Sequence, residues 1–291
     1  MYAGCAAVGD ALYPMHGPRA CRGRRDLAAP RLQSRAPMAA TLSALAPGAP
    51  AAAPRALRVL LLQVRDHHGA ELHEQQCFLD RLGLARERLA CVNVAVEPVP
   101  GVDEAAANDL VVLGGAGAHS AYVDYPFTPR LEELVRELIA RGRPFFGSCF
   151  GHQFMGRALG GRVVHDPANE EIGTFDLELT AEGRRDPLFD GLPASFPVHL
   201  GHHDRIDHLP ESVVTLASTP RCAHQVIRVA GKPAYGSQFH CEMTGEDMRR
   251  RVLMYAAEYM PGDDPLGVLS HRLRPTPVAD GLLARFVASL G

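Results

Sequence analysis

At 291 residues with 46% hydrophobic residues, the chain is long enough for one large or two small domains with buried cores. A formal charge of −3 argues against a dedicated nucleic-acid surface, and no stretch reaches the roughly 18 uninterrupted apolar residues of a membrane helix. Seven scattered cysteines without a CxxC pair disfavour a disulfide framework or zinc knuckle and fit reduced thiols in a soluble, cytoplasmic protein.

Residues 1–55 differ from the rest. They are rich in Ala, Pro and Gly, set Arg19, Arg22, Arg24, Arg25, Arg31 and Arg35 against only Asp10 and Asp26, and keep no apolar periodicity, which predicts disorder. An Arg-rich, acid-poor leader can be a targeting segment, but such segments are usually Ser-rich and amphipathic and this one is Ala/Pro-rich. A start called too far upstream, with Met38 as the true one, is therefore at least as good a reading.

Order is expected from Ala56. Arg58 to Val64 is the short apolar run of a buried parallel strand. Phe78, Leu79 and Leu82 predict a helix over 73–82. Strands follow near Cys91 to Val96 and over Asp109 to Leu113, the second ending in Gly114-Gly115. Leu131, Leu134, Val135, Leu138 and Ile139 recur at helical intervals over 128–141, with Pro129 just inside the start, where a missing N–H does little harm. Pro144 to Gly147 reads as a strand and Phe150 to Leu159 as a helix. This alternation predicts an α/β fold, a three-layer sandwich around a mostly parallel sheet.

Beyond Gly161, β-like runs at 174–179, 195–200, 213–218, 224–229 and 234–239 predict an extension of the sheet or a small antiparallel β layer. A helix over 245–259 closes a domain of residues 56–260. Residues 261–291 form a C-terminal extension, a Pro/Gly-rich link and one helix near Asp280 to Leu290. The apolar face of that helix suits its own domain or another chain.

The most informative segment is Phe145-Phe146-Gly147-Ser148-Cys149-Phe150-Gly151-His152-Gln153, an apolar strand entering Gly-x-Cys-x-Gly with a helix leaving it. A sharp strand-to-helix turn lifts the thiol above the sheet, flanking glycines avoid clashes, and the helix N-terminus offers N–H groups to a developing oxyanion. Near the other end, Gln238-Phe239-His240-Cys241-Glu242 reads as a strand running into His-x-Glu. Strand alternation puts His240 and Glu242 on one side, so that His240 can take the thiol proton while Glu242 orients the ring.

These two motifs together resemble the class I (triad) glutamine amidotransferase family, in the flavour of the GMP synthase amidotransferase domain and its free-standing relatives. The resemblance covers roughly Ala56 to Tyr259 and implies that family's flavodoxin-like fold. It also implies Cys149, His240 and Glu242 as the triad, oxyanion N–H groups from Gly115 and Phe150, and substrate contacts from Gly114, Gln153, Gly201 and His202. The sequence departs from the family pattern at Ala116 and Cys241, each in place of a common proline. It departs again at Gly201 and His203, which replace Ser and Gly of a Ser-His-Gly-Asp loop, and at Phe150, which replaces a common leucine.

The remaining constellations are weaker. His199, His202, His203, Asp204, Asp207 and His208 match no standard zinc spacing, so no metal is expected. Gly114 to Gly117 lacks both the Lys-Ser/Thr of a phosphate loop and GxGxxG spacing, so no nucleotide cofactor is expected. Residues 261–291 are too few for an ATP-using fold. Three readings therefore remain: a glutaminase that hands its ammonia to a separate subunit with synthetase activity, a γ-glutamyl hydrolase with water as acceptor, and a non-catalytic module on the same fold.

Overall fold

The computed structural model describes residues 57–256, 269 and 272–290, all within one compact unit, Leu45–Gly291. The expected disorder of residues 1–55, the link around Pro261 to Pro265, and the last turn of the helix expected to end at Tyr259 lie outside the described residues.

The parallel half is built in chain order. β1 (Val59–Val64) feeds α1 (His68–Leu82), and β2 (Leu89–Asn93) leads through a short α2 (Val102–Ala106) to β3 (Leu110–Ala116). Then come α3 (Thr128–Ala140), β4 (Phe145–Ser148) and α4 (Phe150–Ala158). β1 is buried along its whole length because both faces are covered. Leu61 points into the core that contains Phe78 of α1, whereas Leu60 and Leu62 point into the core that contains Leu131 of α3 and Phe154 of α4. Two apolar cores on opposite faces of one sheet make the three layers.

The second half is antiparallel. β5 (Arg162–His165) precedes β6 (Glu171–Leu179), β7 (Ser195–His202), β8 (Asp204–His208), β9 (Val213–Ser218), β10 (Val226–Val229) and β11 (Ala234–Ser237), and α5 (Gly245–Met254) and α6 (Leu282–Ala288) close the chain. One nine-stranded sheet runs β2-β1-β3-β4-β11-β10-β9-β6-β7, and β5 pairs with β8 in a separate ribbon. β11 is parallel to β4 and antiparallel to β10, so it joins the two halves. The parallel strands around β1 and β4 and their antiparallel extension match the expected α/β fold class.

Several boundaries move for physical reasons. α1 begins at His68, earlier than the apolar spacing predicted, because the His67 ring accepts the Ala70 N–H at 3.2 Å and caps it. β3 runs through the glycine pair to Ala116. The loop expected around Gly201 to Asp204 is instead the end of β7 and the start of β8. α6 packs on its own domain: Phe286 is fully buried, with its ring centroid 5.4 Å from those of Phe146 and Tyr235.

Candidate active site

β4 ends at Ser148 and α4 begins at Phe150, so Cys149 alone carries the turn. Its φ of 51° and ψ of −102° make it the one non-glycine residue with positive φ among the described residues. Such backbone stores roughly 1–3 kcal/mol of strain and persists only where its surroundings hold it. Both flanking glycines are sterically required. A Cβ on Gly147 would lie 2.5 Å from the Gly151 backbone, and one on Gly151 would lie 1.9 Å from the Leu113 carbonyl oxygen. The Cys149 N–H is anchored to the Ser237 carbonyl at 2.8 Å, which ties the elbow to the end of β11.

His240 and Glu242 meet beside the elbow. His240 Nδ1 is 2.6 Å from Glu242 Oε1, and the Ser148 hydroxyl donates to Glu242 Oε2 at 3.0 Å. The route differs from the predicted strand alternation, since β11 stops at Ser237 and residues 238–242 are irregular. The His240 N–H donates instead to the His199 carbonyl of β7 at 3.0 Å, and the Gln238 N–H to the Gln225 carbonyl at 2.8 Å. Burial by itself would lower the His240 pKa. The Glu242 charge and the hydrogen-bonded Cys149 sulfur outweigh it and raise the value, so the ring holds its proton. Burial likewise opposes ionisation of Glu242, and the His240 charge outweighs it, keeping the carboxylate ionised.

Cys149 opens on a cavity of about 290 Å³, close to the lower end of the roughly 300–1,000 Å³ range of small-molecule sites. Residues 116–120 form one wall, Cys149, Phe150 and Gln153 the floor, and His165 with residues 201–204 the other wall. The Asp204 carboxylate ties the walls together, accepting from the Ser120 hydroxyl and contacting His165 Nδ1 at 2.7 Å. Gln238 Nε2 reaches the Cys149 sulfur at 3.6 Å.

The expected binding residues divide. Phe150, Gln153, Gly201 and His202 line the cavity, although the Gln153 side-chain amide nitrogen already donates to the Asp204 carbonyl (2.7 Å) and to Gln238 Oε1 (3.0 Å). The His202 ring is buried, its Nδ1 3.0 Å from the Asp204 carbonyl and its Nε2 3.2 Å from Glu171. Gly114 and Gly115 do not line the cavity. The Gly115 N–H donates to the buried Glu74 carboxylate at 2.9 Å, so in this conformation it is not available to a substrate oxygen, and residues 116–120 form that wall instead. Phe150 is at the first position of α4, where a backbone N–H has no intrahelical acceptor.

The histidine-rich stretch is dispersed rather than clustered. His199 contacts Thr174, His203 pairs with Glu170 at 2.8 Å, and Asp207 takes Arg162 and Arg205. Among the described residues, a metal-sized grouping occurs instead at His73, Cys77 and Asp247. There Arg251 Nη2 donates to His73 Nδ1 at 3.0 Å, which leaves the Nε2–H facing Asp247 at 3.1 Å. A buried guanidinium in hydrogen-bond contact with the would-be ligand opposes a cation. Burial also pushes the thiols of Cys77 and Cys241 far up, so neither offers a thiolate.

Arg65, Glu74, Ser148 and Gln238 were not singled out from the sequence. Glu74 sits within a run of three buried polar residues, His73, Glu74 and Gln75, on an otherwise ordinary amphipathic helix, so no local pattern marks it. Ser148, next to the elbow cysteine at a strand end, was the one with a usable signal.

An elbow cysteine at the carboxyl ends of parallel strands, facing a buried His–Glu pair, is the layout of an α/β enzyme built around a strand–turn–helix nucleophile. The description "Glutamine amidotransferase class-I" matches residues 84–256, more than half of the chain. The chain belongs to the class I glutamine amidotransferase family.

It is 30% identical over 161 residues to a GMP synthase [glutamine-hydrolyzing] of Shewanella woodyi, covering 54% of this chain and 29% of that protein. To one separate subunit of the GMP synthase [glutamine-hydrolyzing] of Methanopyrus kandleri it is 28% identical over 189 residues, covering 63% of this chain and 89% of that subunit. The chain thus spans under a third of the GMP synthases of Shewanella woodyi and Thermosipho melanesiensis, and most of the separate subunit. A solved glutamine amidotransferase of Thermotoga maritima superposes with a TM-score of 0.64 at 25% identity, covering 80% of this chain and 97% of that one. Among the described residues, no helix is long and apolar enough to cross a membrane.

Proposed function

We propose that the chain is a cysteine-dependent glutamine amidase, with Cys149, His240 and Glu242 as its catalytic triad, that releases ammonia for a separate synthetase. The observation that carries this reading is the strained elbow of Cys149 opening on a cavity of about 290 Å³ beside the 2.6 Å His240–Glu242 pair. The Cys149 sulfur attacks the γ-carbonyl carbon, and the oxyanion forms against the Phe150 N–H. His240 gives its proton to the amide nitrogen, the C–N bond breaks, and ammonia leaves a γ-glutamyl thioester. Water then attacks the thioester as His240 takes its proton, the C–S bond breaks, and glutamate departs. Glu242 holds the ring with Nε2 toward the sulfur and stabilises its charged form. The extent of the match to the Methanopyrus kandleri subunit supports the separate-component part of the reading.

The test is glutamate release from glutamine and from a panel of γ-glutamyl dipeptides, with Cys149→Ala as control. Glutamine turnover that requires Cys149 supports the proposal. Rapid dipeptide cleavage with little glutamine turnover would make the chain a γ-glutamyl hydrolase, and equal activity in the variant would remove the triad.

A further inference from the structure

We infer that Glu74 is a positioning residue for the proposed amidase reaction, holding in place the wall of the cavity that faces Cys149; the inference rests on the catalytic reading above. The Glu74 and Arg65 side chains are fully buried and joined through Nη2–Oε1 at 2.6 Å and Nε–Oε2 at 3.2 Å. The same carboxylate accepts from Gln63 Nε2 at 2.8 Å and from the Gly115 N–H at 2.9 Å. Arg65 and Gln63 lie on or just after β1, Glu74 on α1, and Gly115 at the end of β3, so one carboxylate fastens three elements at a single point.

The packing shows what is fastened. A Cβ on Gly114 would lie 2.7 Å from Glu74 Oε1, and one on Gly115 would lie 3.0 Å from Arg65 Nη2 and 3.3 Å from His240 Cε1. The glycine stem therefore presses on the ion pair and on the His240 ring at once. The residues that follow it, Ala116 and Gly117, form the cavity wall, with Tyr255 filling the space behind Gly117. A buried ion pair is a weak source of net stability, since apolar replacements of similar volume are often neutral. Its geometry here has a more specific consequence. Moving the stem moves the wall that meets the substrate, whereas Cys149, His240 and Glu242 have anchors of their own in the Ser237 carbonyl, the His199 carbonyl and the Ser148 hydroxyl.

Two variants test this. Arg65→Met/Glu74→Met keeps the core volume and removes both the charges and the acceptor for Gly115. Glu74→Gln keeps an acceptor oxygen for Gly115 and loses the charge. For each, kcat and KM are measured on whichever substrate the wild type turns over, together with the alkylation rate of Cys149 by iodoacetamide, which needs the thiolate but not the wall. The double variant is expected to lose about 10²-fold in kcat and Glu74→Gln about tenfold, with KM little changed, the scale of a misplaced catalytic wall. Alkylation should stay within about twofold of wild type in both. If either variant does not fold, the other carries the test by the same readouts. Wild-type kcat in either folded variant, or alkylation that falls in step with kcat, overturns the inference. A wild type that releases no glutamate from any of these substrates removes the catalytic reading instead, and is recognised without any variant.

Discussion

His240 Nδ1 lies 2.6 Å from Glu242 Oε1, yet the two residues share no strand: the chain turns irregularly after Ser237, and the His240 backbone is pinned to His199 on another strand. The contact is therefore a product of tertiary hydrogen bonds, and its electrostatics set the charge on the ring.

Replacing Glu242 with Gln tests that electrostatic role. In the wild type the His240 pKa is raised to about 10, so kcat should fall on the alkaline side as pH approaches that value. Without the carboxylate, only the Cys149 sulfur still opposes burial, and the alkaline limb should move to lower pH. The loss in kcat at neutral pH should be about 10²- to 10⁴-fold. Coinciding alkaline limbs in the two pH–rate profiles would contradict this.

The same pair makes a stability prediction with a definite sign. Because the folded His240 pKa is raised, its contribution is full below about 6.5 and is lost as pH rises through the folded value. Because the folded Glu242 pKa is lowered, its contribution is full above about 4.3 and is lost as pH falls through the folded value. The stability advantage of wild type over Glu242→Gln, read from urea unfolding, should peak between those limits and shrink on both sides.

The elbow predicts a stability difference between two variants that lack the Cys149 thiol. Ala keeps the positive-φ strain at position 149 and Gly relieves it, less the entropy that glycine adds to the unfolded chain. Cys149→Gly should therefore be more stable than Cys149→Ala by about 1 kcal/mol. Chemical denaturation of the two variants checks it, and an Ala variant of equal or greater stability would show that the turn is unstrained.

The C-terminal helix belongs to the core of this domain. Phe286→Ala removes a fully buried ring packed against Phe146 and Tyr235 and should destabilise by about 3–5 kcal/mol. A loss under about 1 kcal/mol in urea unfolding would be too small for a core position.

Much of this architecture was legible in the sequence because its signals are local. The apolar run of β1, the helical spacing of Leu131 to Ile139 and the Gly-x-Cys-x-Gly turn each carry their cause within a few residues. What was hidden depends on distant partners. The Gly114-Gly115 pair reads like a substrate-facing loop, but Glu74, about forty positions earlier on α1, claims the Gly115 N–H and moves the cavity wall to residues 116–120. Residues 201–204 read like a loop because nothing nearby reveals that Asp204 begins a strand paired with β5. His240 and Glu242 were placed together by strand alternation, a mechanism the backbone does not use.

Acid quenching during glutamine turnover, followed by peptide mass spectrometry, captures the proposed thioester itself. A γ-glutamyl adduct is expected on the peptide carrying Cys149 and absent from Cys149→Ala, whose glutamine hydrolysis is abolished. Glutamine hydrolysis that continues in Cys149→Ala, or an adduct on another residue, would contradict Cys149 as the nucleophile.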